Sequence, residues 1–237
     1  MVPRRGRCVL FVLGAGCVPE GPATDRGITL PEQTLLVSAA GDVLDEIFED
    51  DFEREELGPD YTALSDAWLL EGGWLCAQNA KNQGVWLDRR LPRNVRVEFD
   101  AMSLSEDGDI KVELFGDGSS GASGVSYDDA TGYVAIFGGR KNSLHVLARL
   151  DEHGDSRRAR AVEPDSDDPA TQAVVPGQVY RFKFERKHGN MLVMSVNGSK
   201  VLEYADPEPL AGLGHEHFGF NDWTAAVCFD NLVIEPL

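Results

Sequence analysis

The sequence predicts an all-β fold, a sandwich of two antiparallel sheets, preceded by an N-terminal signal and tether segment. Three observations carry this expectation. Apolar and polar residues alternate with a period of two in several separate runs, which marks strands with one buried face. An Asn197-Gly198 pair sits between two such runs, a strong signal for a two-residue hairpin. The chain also ends on FGFNDWTAAVCFDNLVIEPL, two strand-like runs around a polar turn at Asn221-Asp222, with a stop after the second. A terminal run of this kind needs folded partners. It is expected to lie beside the first strands of the domain and close a sheet.

The elements follow in order. EIFEDDFERE places a first strand at residues 47–52, flanked by acids. Gly58-Pro59-Asp60 reads as a turn, WLLEGGWLCAQ as two short runs hinged at Gly72-Gly73, and GVWLDRRL as a further strand stopped by Pro92. From residue 95 the alternation is clean. Val95, Val97, Phe99 and Ala101 oppose Arg96, Glu98 and Asp100, and Ile110, Val112 and Leu114 oppose Lys111 and Glu113. Leu144, Val146 and Ala148 oppose His145 and Arg149, and Tyr180, Phe182 and Phe184 oppose Arg181, Lys183 and Glu185. Residues 117–129 and 151–171 read as surface loops, the first rich in Gly and Ser. No helical period of comparable strength follows residue 50.

Composition bounds the function. The chain has 237 residues, 42% hydrophobic and 26% charged, which suits a single large domain plus a tail. A net charge of −18 argues against nucleic acid as a partner, because phosphate binding needs a basic footprint. No run is long enough to cross a membrane as a helix.

Arg4, Arg5 and Arg7 precede an apolar stretch at residues 8–16, the pattern of a signal peptide. Gly14-Ala15-Gly16-Cys17 resembles a bacterial lipobox, in which the cysteine is lipidated. Gly14 stands where that motif usually carries Leu, Val or Ile, so a plain signal peptide, a misplaced start site and an uncleaved segment stay open. The expected organisation is a signal at 1–16, a Pro- and Gly-rich tether at 17–44, with a short strand or helix start at 34–40, and the sandwich at 45–237. The expected address is the bacterial cell envelope, periplasm or outer membrane, with a lipid anchor on Cys17.

The segments DDFEREELG, GGWLCAQ, VRVEFDA, GYVAIFGGRKNSL, PGQVYRFKFERK, SVNGSKVLEY and FDNLVIEPL, in this order, resemble the concanavalin A-like jelly rolls. Within that group the likeness is to laminin-G-like and 3-keto-disaccharide hydrolase-type domains of bacterial envelope proteins, over residues 45–237. The resemblance implies two packed sheets, adjacent N- and C-terminal strands, and a concave face that often meets carbohydrate.

Candidate chemistry follows from residue types. Glu98 and Asp100, two apart on a strand, present carboxylates from one face, as acid/base work on a glycoside requires. Laminarinase-type members carry a third acid two or three positions on, where this chain has Met102 and Ser103. The alternative is a solvent-facing ladder with Arg96, Lys111 and Glu113 as cross-strand partners. Tyr133, Arg140, Asn142, Asn221, Asp222 and Trp223 form the sugar-binding candidate set, since a pyranose offers apolar faces to a ring and hydroxyls to planar polar groups. His215-Glu216-His217 has the spacing of a two-imidazole metal site but reads better as polar loop, and no metal is expected there. Asp107-Gly108-Asp109 and Asp128-Asp129 offer oxygen ligands for calcium, or simply turn residues. No cofactor is expected. Cys76 and Cys228 are expected either to pair in an oxidising compartment, if the first and last strands are neighbours, or to remain separate buried thiols. Three functions stay in play: a non-catalytic carbohydrate-binding envelope module, a glycoside hydrolase of the 3-keto-disaccharide type, and a structural envelope protein.

Overall fold

The computed structural model describes residues 42–124 and 126–237. The signal-like segment, Cys17, the run at 34–40 and all but the end of the tether lie outside the described residues. The strands are β1 (Phe48–Asp50), β2 (Tyr61–Ala63), β3 (Trp68–Glu71), β4 (Trp74–Ala77), β5 (Val85–Leu87), β6 (Val95–Ser103), β7 (Ile110–Gly116) and β8 (Tyr133–Gly138). They continue with β9 (Leu144–Arg149), β10 (Arg158–Ala161), β11 (Tyr180–Lys187), β12 (Met191–Val196), β13 (Ser199–Ala205), β14 (His217–Asn221) and β15 (Val227–Pro236).

Two antiparallel sheets result. The eight-stranded sheet runs β13-β12-β11-β6-β15-β4-β3, with β1 also paired to β15. The seven-stranded sheet runs β10-β9-β8-β7-β14-β5-β2. The terminal strand is central, as its apolar content demands. One edge of β15 pairs along β6; the other meets β4 through Val227–Phe229 and β1 through Leu232–Ile234. The register shift between Asp230 and Val233 coincides with Asn231 at φ 50, a bulge that lets one long strand serve both partners. Cys228 lies opposite Cys76, and the two form a disulfide. At the 197–198 hairpin both turn residues have positive φ (49 and 82), the geometry that an Asn-Gly pair favours.

Between the sheets lies an aromatic core. Phe99 of β6 packs on Phe182 and Phe184 of β11, on Phe218 and Phe220 of β14, and on Phe229 of β15. Such ring pairs contribute about 0.5–1.5 kcal/mol each beyond the area they bury.

Besides β10, which forms within the expected 151–171 loop and pairs with β9, three expectations are corrected. The first strand is shorter than 47–52: Ile47 is exposed, and Phe52 leaves the strand at φ 51 to enter the core. In β9 the apolar set faces outward. His145 stacks on core Phe137 and Leu147 joins the main core, while Val146 and Ala148 belong to a second cluster on the opposite face. Alternation marks two faces but does not say which is inside, and here both are covered. The cover is the third correction. The segment 117–129, read as a free surface loop, presses Ala122 and Tyr127, together with the adjoining Ala130, onto Val134, Ile136, Val146 and Ala148. Trp86 Nε1 donates to the Ser120 carbonyl at 3.0 Å and Gln83 Nε2 to the Ala122 carbonyl at 2.9 Å, fastening the segment down.

A polar cavity on the outer face of the seven-stranded sheet

The outward face of β7 carries Lys111 and Glu113, and neither meets solvent: they are 2% and 1% exposed. They cannot partner Glu98 or Asp100, because β7 and β6 belong to different sheets. Lys111 Nζ donates to Asn82 Oδ1 at 2.9 Å and stands 3.3 Å from Glu152 Oε2. Burial alone would lower its pKa, but Asp109 and Glu152 more than offset this and hold the ammonium above its ordinary value. Glu113 accepts from both Tyr127 Oη and Asn221 Nδ2 at a single oxygen, Oε1. Its other oxygen is buried without a hydrogen-bond partner among the described residues. Burial therefore pushes the Glu113 carboxyl up to about 7, against the opposing pull of those two donors and Lys111.

The next layer comes from loop 78–84 and the β14–β15 connection, which are zipped together. Ala80 N donates to Asp222 Oδ2 at 3.0 Å, Lys81 N to the Trp223 carbonyl at 3.0 Å, and Asn82 N to the Asp222 carbonyl at 2.7 Å. Burial pushes Asp222 up to about 6, with Asp109 adding to the shift. The Lys81 ammonium sits 4.5 Å from the Trp223 ring centroid, a cation–π contact.

Above this layer opens a cavity of about 270 Å³. Lys111, Ile136 and Val146 come to it from the outer sheet face, and Trp223, Thr224 and Asn82 from the zipped loops. Asp107, Asp109, Arg140 and Lys141 also border it, and Glu152, His153 and Arg157 complete it. Burial raises the Asp109 pKa against the nearby Lys111 charge.

Arg140 and Lys141 reach the cavity from an unusual turn. Gly138 (φ 77) leads into Arg140 (φ 50, ψ 54), Lys141 (φ 57, ψ 53) and Asn142 (φ 58), consecutive non-glycine residues in the left-handed region. Each costs roughly 1–2 kcal/mol for an L-residue. The turn is held by the Asn142 side chain, which donates to the Val174 carbonyl at 2.7 Å and accepts from Val174 N at 2.9 Å.

The residues singled out in the sequence are distributed as follows. Arg140 and Trp223 line the cavity; Asn221 and Asp222 lie buried beneath it. Asn142 supports the turn rather than facing the cavity. Tyr133 points into the core, where its hydroxyl donates to Asp206 Oδ2 at 2.6 Å. Glu98 and Asp100 are on the outer face of the other sheet, both ion-paired with Arg181, and Asp100 also accepts from Asn231 Nδ2 at 3.0 Å. His215 and His217 donate to separate carbonyls, of Thr131 and Leu87, and Glu216 pairs with Arg90. Asp129 accepts from Ser123 N, while Asp107 and Asp109 border the cavity. Among the described residues no group of three or more His, Cys, Asp or Glu is placed to hold a metal ion. Lys111 and Glu113, expected on a solvent-facing ladder, are buried here, and sequence reasoning does not single out Glu152 or Tyr127. The available signal was YVAIFG at β8, a continuous apolar run of the kind that marks a strand covered on both faces.

Neither a protein-family model nor a curated protein sequence matches the chain. Solved structures do. A carbohydrate-binding module, CBM66 from Bacillus subtilis, superposes with a TM-score of 0.53 at 13% identity, covering 75% of this chain and 96% of that one. A β-1,3-1,4-glucanase (lichenase) from a mouse hindgut metagenome gives 0.53 at 9% identity over 81% of this chain and all of that one. The laminarinase catalytic domain of Thermotoga maritima gives 0.52 at 10% identity, covering 80% and 97%. The fold is thus a concanavalin A-like jelly roll. At these identities the likeness is one of fold alone.

Proposed function

We propose that this protein binds carbohydrate in the cavity above Lys111. The observation that carries the reading is the mixture of groups at one opening: the Trp223 indole offers apolar ring surface, and Arg140, Asp107, Thr224 and Asn82 offer hydrogen bonds. That is the pairing a pyranose needs. The fold shared with a carbohydrate-binding module and two glucan-degrading enzymes supports it as analogy. A glycan array followed by titration calorimetry tests it: binding should weaken about tenfold or more in Trp223→Ala and in Arg140→Ala. An array without a single hit would sink the proposal.

A second reading, glycoside turnover, is favoured by one observation. Asp109 borders the cavity with a raised pKa, as suits a proton donor, beside the carboxylate of Glu152. Under it, Asp109→Asn abolishes turnover while binding survives; a wild-type protein that binds oligosaccharides but leaves them intact removes this reading. We also propose export to the envelope and lipid attachment at Cys17. The Cys76–Cys228 disulfide supports an oxidising compartment. Metabolic labelling with a fatty acid should mark the wild type and not Cys17→Ser.

A further inference from the structure

We infer that the carbohydrate is anionic, and that Arg140, Lys141 and Arg157 hold its carboxylate or sulfate group. The inference rests on the carbohydrate reading above and narrows its substrate class. The chain has 40 acidic residues against 22 basic ones, so a cation should easily find a carboxylate. Most of those among the described residues do: Arg54, Arg89, Arg96, Arg149, Arg181 and Lys200, for example, sit within ion-pair distance of one. Others, such as Lys81, Arg158 and Arg186, lie over aromatic rings. Arg140 and Lys141 have neither kind of partner among the described residues, and the Arg157 guanidinium donates to no side chain there, only to the Glu152 carbonyl, at 3.5 Å. All three border one cavity. Arg93 and Arg160 also lack a carboxylate, but neither borders it.

The acids of the cavity are differently disposed. Asp109 and Glu152 face Lys111, which draws on both. Asp107 also borders the cavity, but these three acids face four cations, Lys111, Arg140, Lys141 and Arg157, and the surplus positive charge directs an anion toward the last three. The global charge of −18 does not forbid this. At physiological salt it is screened beyond about 8 Å, so the nearest charges decide. The backbone agrees: Arg140 and Lys141 are kept in left-handed conformations where glycine would be unstrained, and strain of this kind concentrates at functional sites. At about 270 Å³ the cavity is small for a ligand pocket, which suits a single charged ring or a chain end rather than a long glycan.

The test is titration calorimetry of the full chain against an oligogalacturonate, a sulfated chondroitin oligosaccharide and a neutral cello-oligosaccharide, at low and high salt. Binding of a charged ligand at least about tenfold tighter than the neutral one, weakened by salt, is expected. The tighter of the two charged ligands identifies the group. Arg157→Gln and Arg140→Gly should each lower that affinity about tenfold, the loss of one charge-assisted hydrogen bond. Arg140→Gly also relieves the strained turn, so an unchanged or raised melting temperature excludes unfolding as the cause. If the neutral ligand binds as tightly as the charged ones, the anionic assignment is overturned and the carbohydrate reading stands. If no ligand binds, the carbohydrate reading itself fails.

Discussion

Replacing Glu113 with Gln isolates the cost of burying a carboxyl beneath Tyr127. The exchange is nearly isosteric, and Gln Oε1 can still accept from Tyr127 and Asn221, which both donate to a single oxygen of the native side chain. What changes is ionisation. In the unfolded chain the carboxyl titrates near 4.5; in the fold, burial moves it up to about 7. Between those values the unfolded state has released a proton that the folded state still holds, so stability falls as pH rises and the whole cost is present above pH 7. The difference corresponds to about 3 kcal/mol. Glu113→Gln should therefore match the wild type near pH 4 and exceed it by about 3 kcal/mol at pH 8. Other groups titrate in the same window with different signs. Asp222, raised to about 6, also loses stability as pH rises, whereas His145, lowered by burial to about 4, loses it as pH falls. The informative quantity is thus the wild-type-minus-variant difference, from urea unfolding at pH 4.5, 6 and 8. A difference that does not change with pH would refute the account of Glu113 as a buried acid whose desolvation outweighs its partners.

Removing the disulfide in Cys76→Ala/Cys228→Ala frees a loop spanning 152 residues and should cost about 2–4 kcal/mol by chemical denaturation, with the wild type falling to the same level under reductant. Phe99→Ala empties the centre of the aromatic core, where the side chain is 0% exposed, and should cost about 3–5 kcal/mol. Asn142→Ala removes the bonds to Val174 that hold the left-handed turn. It should destabilise by about 1–3 kcal/mol and weaken ligand binding through misplacement of Arg140, an effect seen by calorimetry even where the protein remains folded.

Much of the fold was legible in the chain, and for a local reason. The alternation in β6 and β11 and the Asn197-Gly198 turn depend on neighbours within a few residues, and the closing role of β15 follows from an apolar run that could not remain unpaired. Of the candidate site, Arg140 and Trp223 were legible because such side chains in loops stand out by type. Lys111 and Glu113 were not, because their spacing is the same as that of Arg96 and Glu98, which really do lie on an open face.

Period-two alternation is symmetric: it separates two faces of a strand but contains no term for what lies against each. That term comes from segments distant in sequence. Tyr127 of the covering segment, the 78–84 loop and the β14–β15 connection all meet over β7, and their arrival turns an apparently solvated charge ladder into a buried lysine and a buried acid. Strand identity, hairpin and closing strand were thus written in the chain. Which sheet face would be roofed, and so where charge would be desolvated and a cavity left open, depended on long-range packing, because desolvation belongs to the whole neighbourhood of a group and not to its position along a strand.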